Sequence, residues 1–395
     1  MLNRLLVNPT IYFLSGHLVM IGVAAVLVGD ANGLLLLLKL LTAFASGWVL
    51  MNMGIRGATR TYRKSVGDSF AAYCLDRNRK KEWLVVVVLL ILLLISFAIA
   101  VLYGLPLFSV DPTISRLKQR QYMPLMVLIE YLLPAVTGVA YLSSRETGKK
   151  YLLWCCLFIA FFLSTAMAVR NIFLEVLVVV SILSFMHNRV SRNFKTIAVA
   201  VVAGVLFFAL VQALRSDAFG LDYLIDKLSQ RFLYVNHAIF SATAHWNMDL
   251  PYPTYLGPIL KLFDYGRYNI GFMLFDRIEP GSVVQGYAPP SLAGEVLMNV
   301  GQGCEAYLLM FSIASFVAIL VYLFRSFVRR SYRPIFDAFL CMEMFRAYAH
   351  TLFGLLLALT FFWVILIFFG CLTEEKKRIF KFQSRLLNRP ATPVV

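Results

Sequence analysis

The chain has 395 residues, of which 60% are hydrophobic and 15% charged, and its formal net charge is +16. So apolar a composition excludes an ordinary soluble globular domain. It also makes the positive charge a matter of membrane topology and not of nucleic-acid binding.

Stretches long enough to cross a hydrocarbon core of about 30 Å recur along the chain. In lipid they must be helical, because every backbone polar group needs an internal partner. Ten spans are predicted, at 11–29, 33–55, 83–106, 123–143, 151–169, 172–187, 196–214, 303–325, 334–348 and 350–371. The ninth is short, and the pair at 151–187 is joined by a tight turn. The first follows Arg4, exceeds a signal-peptide core and lacks a small-x-small cleavage site, so it reads as a retained helix.

With ten spans and both termini inside, the inner side holds 25 of the 37 Lys and Arg residues and 6 of the 21 Asp and Glu residues. The outer side holds 11 basic and 10 acidic residues. This is the positive-inside bias. Its clusters lie at Arg56–Lys64, Arg77–Lys81, Arg145–Lys150, Arg189–Lys195, Arg325–Arg333 and Lys376–Arg389. They are topology determinants beside anionic headgroups.

The outer turn at Gly29–Asn32 is minimal, and the one at Phe108–Tyr122 is longer and basic. Only Val169–Asn171 separates the fifth span from the sixth. The main interruption is Ser216–Gln302, 87 residues with six of the fourteen prolines and many aromatics. Its apolar spacing from Leu221 to Val235 predicts an amphipathic helix over 221–241. Asp249–Pro253 reads as a turn, and 260–275 as a second interfacial helix. Pro280-Gly281 reads as another turn, and Ser291 as the N-cap of a helix with Glu295 in its first turn. A pore or simple anchor rarely carries one dominant folded loop. An enzyme acting at a membrane surface has use for one.

Arginines on the outer side run against the topology bias and need another reason. Arg170 sits at a tight turn, Arg215 where the seventh span exits, and Arg346 near the outer end of the ninth. Their guanidiniums present planar, bidentate donors suited to a diphosphate. Arg267 and Arg277 in the loop join them as candidates. Glu343 is placed to pair with Arg346, and His350, four residues on, shares its face if the helix continues. Glu130, Glu175 and Asp337 are ionisable groups inside spans, which makes each a functional hypothesis. His245, Glu295 and His350 are candidate catalytic groups, with His237 and Asp249 further candidates for a general base. The six cysteines show no metal-ligand spacing and none lies in the loop. No phosphate-binding or zinc-hydrolase motif is present, so neither a metal nor a cofactor is expected.

Two local segments add a resemblance. Ala168-Val169-Arg170-Asn171 lies at the turn of a tight helix pair. Pro289-Pro290-Ser291-Leu292-Ala293-Gly294-Glu295-Val296-Leu297-Met298-Asn299-Val300-Gly301 is similar to the Pro/Ser, Gly-Glu, Asn-x-Gly pattern that closes the large periplasmic loop in the O-antigen polymerase (Wzy-type) family. The order of parts resembles that family over most of the chain. The Arg-x(10)-Gly spacing found in some members is missing from the loop.

The resemblance implies an all-α, polytopic membrane protein with about ten transmembrane helices and one large periplasmic loop, similar to the GT-C-type polymerase and ligase architecture. The expected organisation is helices one to seven over 1–215, the loop over 216–302, helices eight to ten over 303–371 and a basic cytoplasmic tail over 372–395. The implied enzyme is a glycosyltransferase of the bacterial inner membrane, polymerising undecaprenyl-diphosphate-linked oligosaccharides into O-antigen or a related surface polysaccharide. Its expected partners are those lipid-linked oligosaccharides, membrane lipids and a polysaccharide chain-length regulator, with no nucleic acid. An O-antigen ligase is the nearest alternative, and Ala244-His245-Trp246-Asn247 is a distorted echo of the His-Asn pair of ligases. A transporter predicts paired broken helices and internal repeats, which the sequence does not display.

The expected topology puts both termini in the cytoplasm and Trp246 outside. A single cysteine at 246 should react with an impermeant thiol reagent on intact cells, and one in the C-terminal tail should not. The reverse pattern would sink the orientation.

Overall fold

The computed structural model describes residues 8–63, 79–109, 123–167, 169, 171–187, 190–216, 222, 225–226, 229–246, 253–256, 270–281, 288 and 290–373. Among them the fold is all helical, with no strand. Each of the ten predicted spans falls on a helix. Five of those helices are long and apolar enough to cross a membrane: Pro9–Val28, Ala31–Ile55, Lys81–Leu102, Cys304–Phe327 and Leu352–Leu372.

In chain order the helices are α1 (Pro9–Val28), α2 (Ala31–Arg63), α3 (Arg79–Tyr103), α4 (Met123–Thr147), α5 (Tyr151–Ala166), α6 (Asn171–His187) and α7 (Val190–Ser216). The loop region contributes α8 (Asn236–Ala244), α9 (Ile270–Ile278) and α10 (Leu292–Val300). The bundle resumes with α11 (Cys304–Phe327), α12 (Arg333–Arg346) and α13 (Leu352–Leu372).

At 1.5 Å per residue the 14-residue α12 is only about 21 Å long, short of the hydrocarbon thickness. Packing, not length, explains it. Ile335, Phe336, Ala338 and Phe339 are buried, as is every residue from Leu340 to Met344. Helices α1, α4, α6 and α13 surround it. Phe339 stacks on Phe362 of α13 with ring centroids 3.6 Å apart. An element sheathed in other helices has no need to match the lipid. Outward side chains elsewhere on the bundle, among them Leu94 and Phe97 of α3, Phe158 of α5, Leu206 of α7 and Phe368 of α13, stay exposed. An apolar surface of that extent calls for a lipid phase around it.

Two close approaches set the packing on the first two helices. α1 is interrupted by a π turn at Leu18–Gly22, and just before it Gly16 lies against the backbone of Phe345 in α12. On α2, Gly47 lies against the backbone of Phe311 in α11. Small residues let helix backbones approach where lipid offers no hydrophobic drive for association.

The 216–302 segment folds back onto one end of this bundle. α8 packs on the π turn of α1 and on α10, and α10 packs on α2, α11 and the 3₁₀ turn Ala347–Ala349. Ile239, Leu274, Ala288 and Met298 form a small core of their own between α8, α9 and α10. The amphipathic helix predicted over 221–241 is observed as helical residues at 222 and 225–226, a π turn at Gln230–Val235 and then α8. Of the second interfacial helix predicted over 260–275, the described part runs from Ile270 and continues to Ile278; residues 257–269 lie outside the described part. The Ser291 N-cap is present, its Oγ accepting the Gly294 N–H at 2.8 Å.

Gly16→Val and Gly47→Val should each destabilise the protein by about 1–3 kcal/mol, because a Cβ at either site meets backbone that cannot step aside. Gly54→Val, whose Cβ would meet nothing within 4 Å, should stay within about 0.5 kcal/mol of wild type. Thermal unfolding of the purified protein in detergent measures the difference.

Candidate functional site

The charged residues at the loop-bearing end of the bundle fall into an inner and an outer group. The inner group centres on Arg346, the last residue of α12. Its Nη1 lies 3.0 Å from Glu343 Oε1, in a hydrogen bond, and 2.6 Å from Glu175 Oε1 of α6, in an ion pair. Glu130 of α4 is close enough for its charge to act on both Arg346 and Glu343. Pro134 has no N–H, so the Glu130 carbonyl lacks its helical partner. The Glu175 side chain is 4% exposed and that of Glu343 0%, whereas that of Arg346 is 22% exposed. Arg346 is therefore partly exposed, and its two carboxylate partners are buried.

α12 ends at Arg346 in the 3₁₀ turn Ala347–Ala349, and the backbone at His350 is extended. His350 is accordingly off the helix face it was expected to share with Arg346, because the helix stops short of it. It remains beside Arg346, half-buried in the corner before α13.

Glu295 joins the outer layer to this corner. Its Oε2 accepts the backbone N–H of Leu352 at 2.5 Å, and its Oε1 accepts the Thr254 hydroxyl at 3.0 Å. Asn299, one turn on, accepts the Thr254 N–H at 2.7 Å and donates to the Thr254 Oγ1 at 2.7 Å. Burial raises the Glu295 carboxyl above its ordinary pKa, and the Leu352 and Thr254 hydrogen bonds oppose the rise. With both oxygens engaged by protein, Glu295 ties elements together, which is a different role from the free base expected of it.

The outer group contains His245 and Arg277. Arg277 lies over the Trp246 ring, 5.5 Å from its centroid, and its Nη2 donates to the His245 carbonyl at 3.1 Å. The His245 side chain is exposed, with Nδ1 2.8 Å from the Ser241 carbonyl. Nearby, Asp30 caps α2 by accepting the Gly33 N–H at 2.8 Å, and its Oδ2 is 3.0 Å from His237 Nε2. The Gly33 bond first, then His237, hold Asp30 below the usual carboxylate range.

The structure thus brings Arg346, His350 and Glu295 to one corner and His245 and Arg277 to a second site. Arg170 and Arg267 lie outside the described residues, as does Asp249. Arg215 is placed on the last turn of α7 by its backbone. Asp337 belongs to the far end of α12, where it pairs with Arg325 at 2.9 Å. Among the described residues no group of three or more His, Cys, Asp or Glu could hold a metal ion. Sequence reasoning missed the Thr254–Asn299 support and the Asp30–His237 contact. Asp30 ahead of Ala31-Asn32-Gly33 carries a readable N-cap signal; its partner 207 residues away carries none.

Comparison of the chain with protein-family models, with characterised proteins and with solved structures finds no match.

Removing Glu295 strands the Leu352 N–H and the Thr254 hydroxyl. Glu295→Ala should cost about 1.5–3 kcal/mol, the range for a hydrogen bond to a charged group. Glu295→Gln should cost less than half of that, because an amide can accept from Leu352 and donate to Thr254. Equal losses in thermal unfolding would show that the tie is unimportant.

Proposed function

We propose that the chain is a membrane glycosyltransferase that polymerises undecaprenyl-diphosphate-linked oligosaccharide repeat units into O-antigen or a related surface polysaccharide. It works at the periplasmic face of the bacterial inner membrane, with ten spans and both termini in the cytoplasm. The observation that carries the reading is the Glu295 tie: it fastens the loop-derived α10 to the corner that holds Arg346 and His350. A site between a lipid phase and an aqueous loop layer is what a lipid-linked sugar donor requires. The leaving diphosphate supplies its own activation, so the protein has to orient two substrates, stabilise the departing anion and accept one proton.

The charge balance redistributes the roles first assigned from sequence. Arg346 already faces two carboxylates, so the diphosphate falls chiefly to Arg170, Arg215, Arg267 and Arg277. His350 is the proton acceptor of this scheme. Its ring stands half-buried beside Arg346, in the corner before α13. His245 lines the outer approach of the acceptor sugar. Membrane lipids and a polysaccharide chain-length regulator are the further partners. A ligase using lipid A–core as acceptor shares this donor chemistry.

One observation favours a second reading. An ion cluster inside an apolar bundle is also what a lipid-linked-glycan transporter coupled to an ion would carry.

A purified enzyme given lipid-linked repeat units should build ladders. Arg170→Ala and Arg277→Ala should each slow it roughly ten- to a hundredfold, the kinetic equivalent of one lost charge-assisted hydrogen bond. Wild-type ladders from both variants at equal protein levels would refute the diphosphate assignment. In a deletion strain, glycans capped with a single repeat unit indicate a polymerase. Loss of every cap indicates a ligase or a transporter.

A further inference from the structure

The inner cluster holds more negative groups than its one guanidinium can match. Glu130, Glu175 and Glu343 stand around Arg346, with Tyr131 beside them and His350 at the corner. Arg346 makes its hydrogen bond with Glu343, and Glu175 reaches the same Nη1 from the other side. That leaves the Oε2 atoms of Glu175 and Glu343, both closed to water, with no hydrogen-bond partner. A buried carboxylate oxygen without a donor is costly. The missing donor must occupy almost no space, because neither atom has a surface a water molecule could touch. A metal ion is unsuited, since the donor set fails as a ligand group. An ammonium or a sugar hydroxyl is larger than the water already shut out.

We propose that Glu175 is a proton-binding site: it carries a proton, leaving Arg346 and Glu343 as a one-to-one ion pair. Protonation removes one of the negative charges that the single guanidinium would otherwise have to balance. The choice of Glu175 over Glu343 follows from alignment: Glu343 Oε1 accepts a well-aligned hydrogen bond from Arg346, whereas Glu175 meets the same Nη1 as an ion pair and has both oxygens without an aligned donor. Release of the proton past the partly exposed Arg346 leaves a second carboxylate competing for the same Nη1. The site thereby couples α6, which bears Glu175, to α12, which bears both other groups. The inference does not depend on the reaction proposed above. In a glycosyl transferase the site would exchange protons with the acceptor's surroundings, and in a transporter it would bind the coupling ion.

The full chain in detergent at neutral pH should show the infrared carbonyl stretch of a protonated carboxylic acid, shifting on exchange into heavy water. Glu175→Gln should fold with unchanged thermal stability and lose one such component. Glu295→Gln should retain that component. Glu343→Gln should lower the unfolding temperature, because it takes the hydrogen-bonded counter-charge from Arg346. Absence of the band in wild type overturns the proposal, as does its survival intact in Glu175→Gln. A Glu175→Gln chain that fails to fold also overturns it, since the neutral isostere of a protonated glutamate must be tolerated.

Discussion

The structure depends on one guanidinium held among carboxylates at the end of a buried helix. Ions in an apolar bundle cost far more than ions in water, and only close, well-oriented partners offset that cost. Arg346 gathers Glu343 from its own helix, Glu175 from α6 and the field of Glu130 from α4. Those partners sit in the N-terminal halves of α4 and α6, beyond their first turns, and in the last turn of α12, so the pairing fixes which parts of three helices lie together. It also accounts for α12 being short. A helix whose terminal charge must stay beside two others cannot run on to the surface, and it breaks into the 3₁₀ turn Ala347–Ala349.

The break creates the second dependency. Where α12 stops and α13 begins, the chain presents an N–H at Leu352 that no helix satisfies, and Glu295 of the outer layer accepts it. Ser291 caps α10 so that Glu295, in its first turn, points into that corner, while Thr254 and Asn299 hold the remaining hydrogen-bond valences. Asp30 and His237 make a second link, from the first outer turn to α8. The outer layer is thus pinned at polar points onto an apolar bundle. Among the described residues its own core is built on Ile239, Leu274, Ala288 and Met298.

Helix positions were legible in the sequence because the signal is composition over about twenty residues, and lipid leaves the backbone no alternative. The five helices long and apolar enough to cross a membrane and the Ser291 cap rest on such local rules. The amphipathic segment at 221–241 was read as one helix because apolar spacing does not register a π turn such as Gln230–Val235. The Glu343–Arg346 pair was readable because three residues along a helix make neighbours. The Glu175–Arg346 pair was not, since 171 positions in sequence carry no geometric information. His350 was misplaced for a related reason: four-residue spacing implies a shared face only while the helix continues. Glu295 was found as a polar residue in a capping pattern, but its hydrogen-bond partners lie on other elements, so a structural tie and a free base looked alike.

These contacts bear on where an anion could bind. A guanidinium that already neutralises a carboxylate offers a diphosphate little net attraction, and the neighbouring carboxylates repel it. Exposure makes the same point. The Arg346 side chain is 22% exposed, with its carboxylate partners buried, whereas Arg277 is exposed outright on the outer layer and stacked on Trp246. An arginine spread over an aromatic face keeps its stem ordered, which lowers the entropic cost of gripping a phosphate. In the proposed scheme, anion recognition belongs with the outer arginines and proton handling with the inner carboxylates. The Glu295 tie holds the two layers in register.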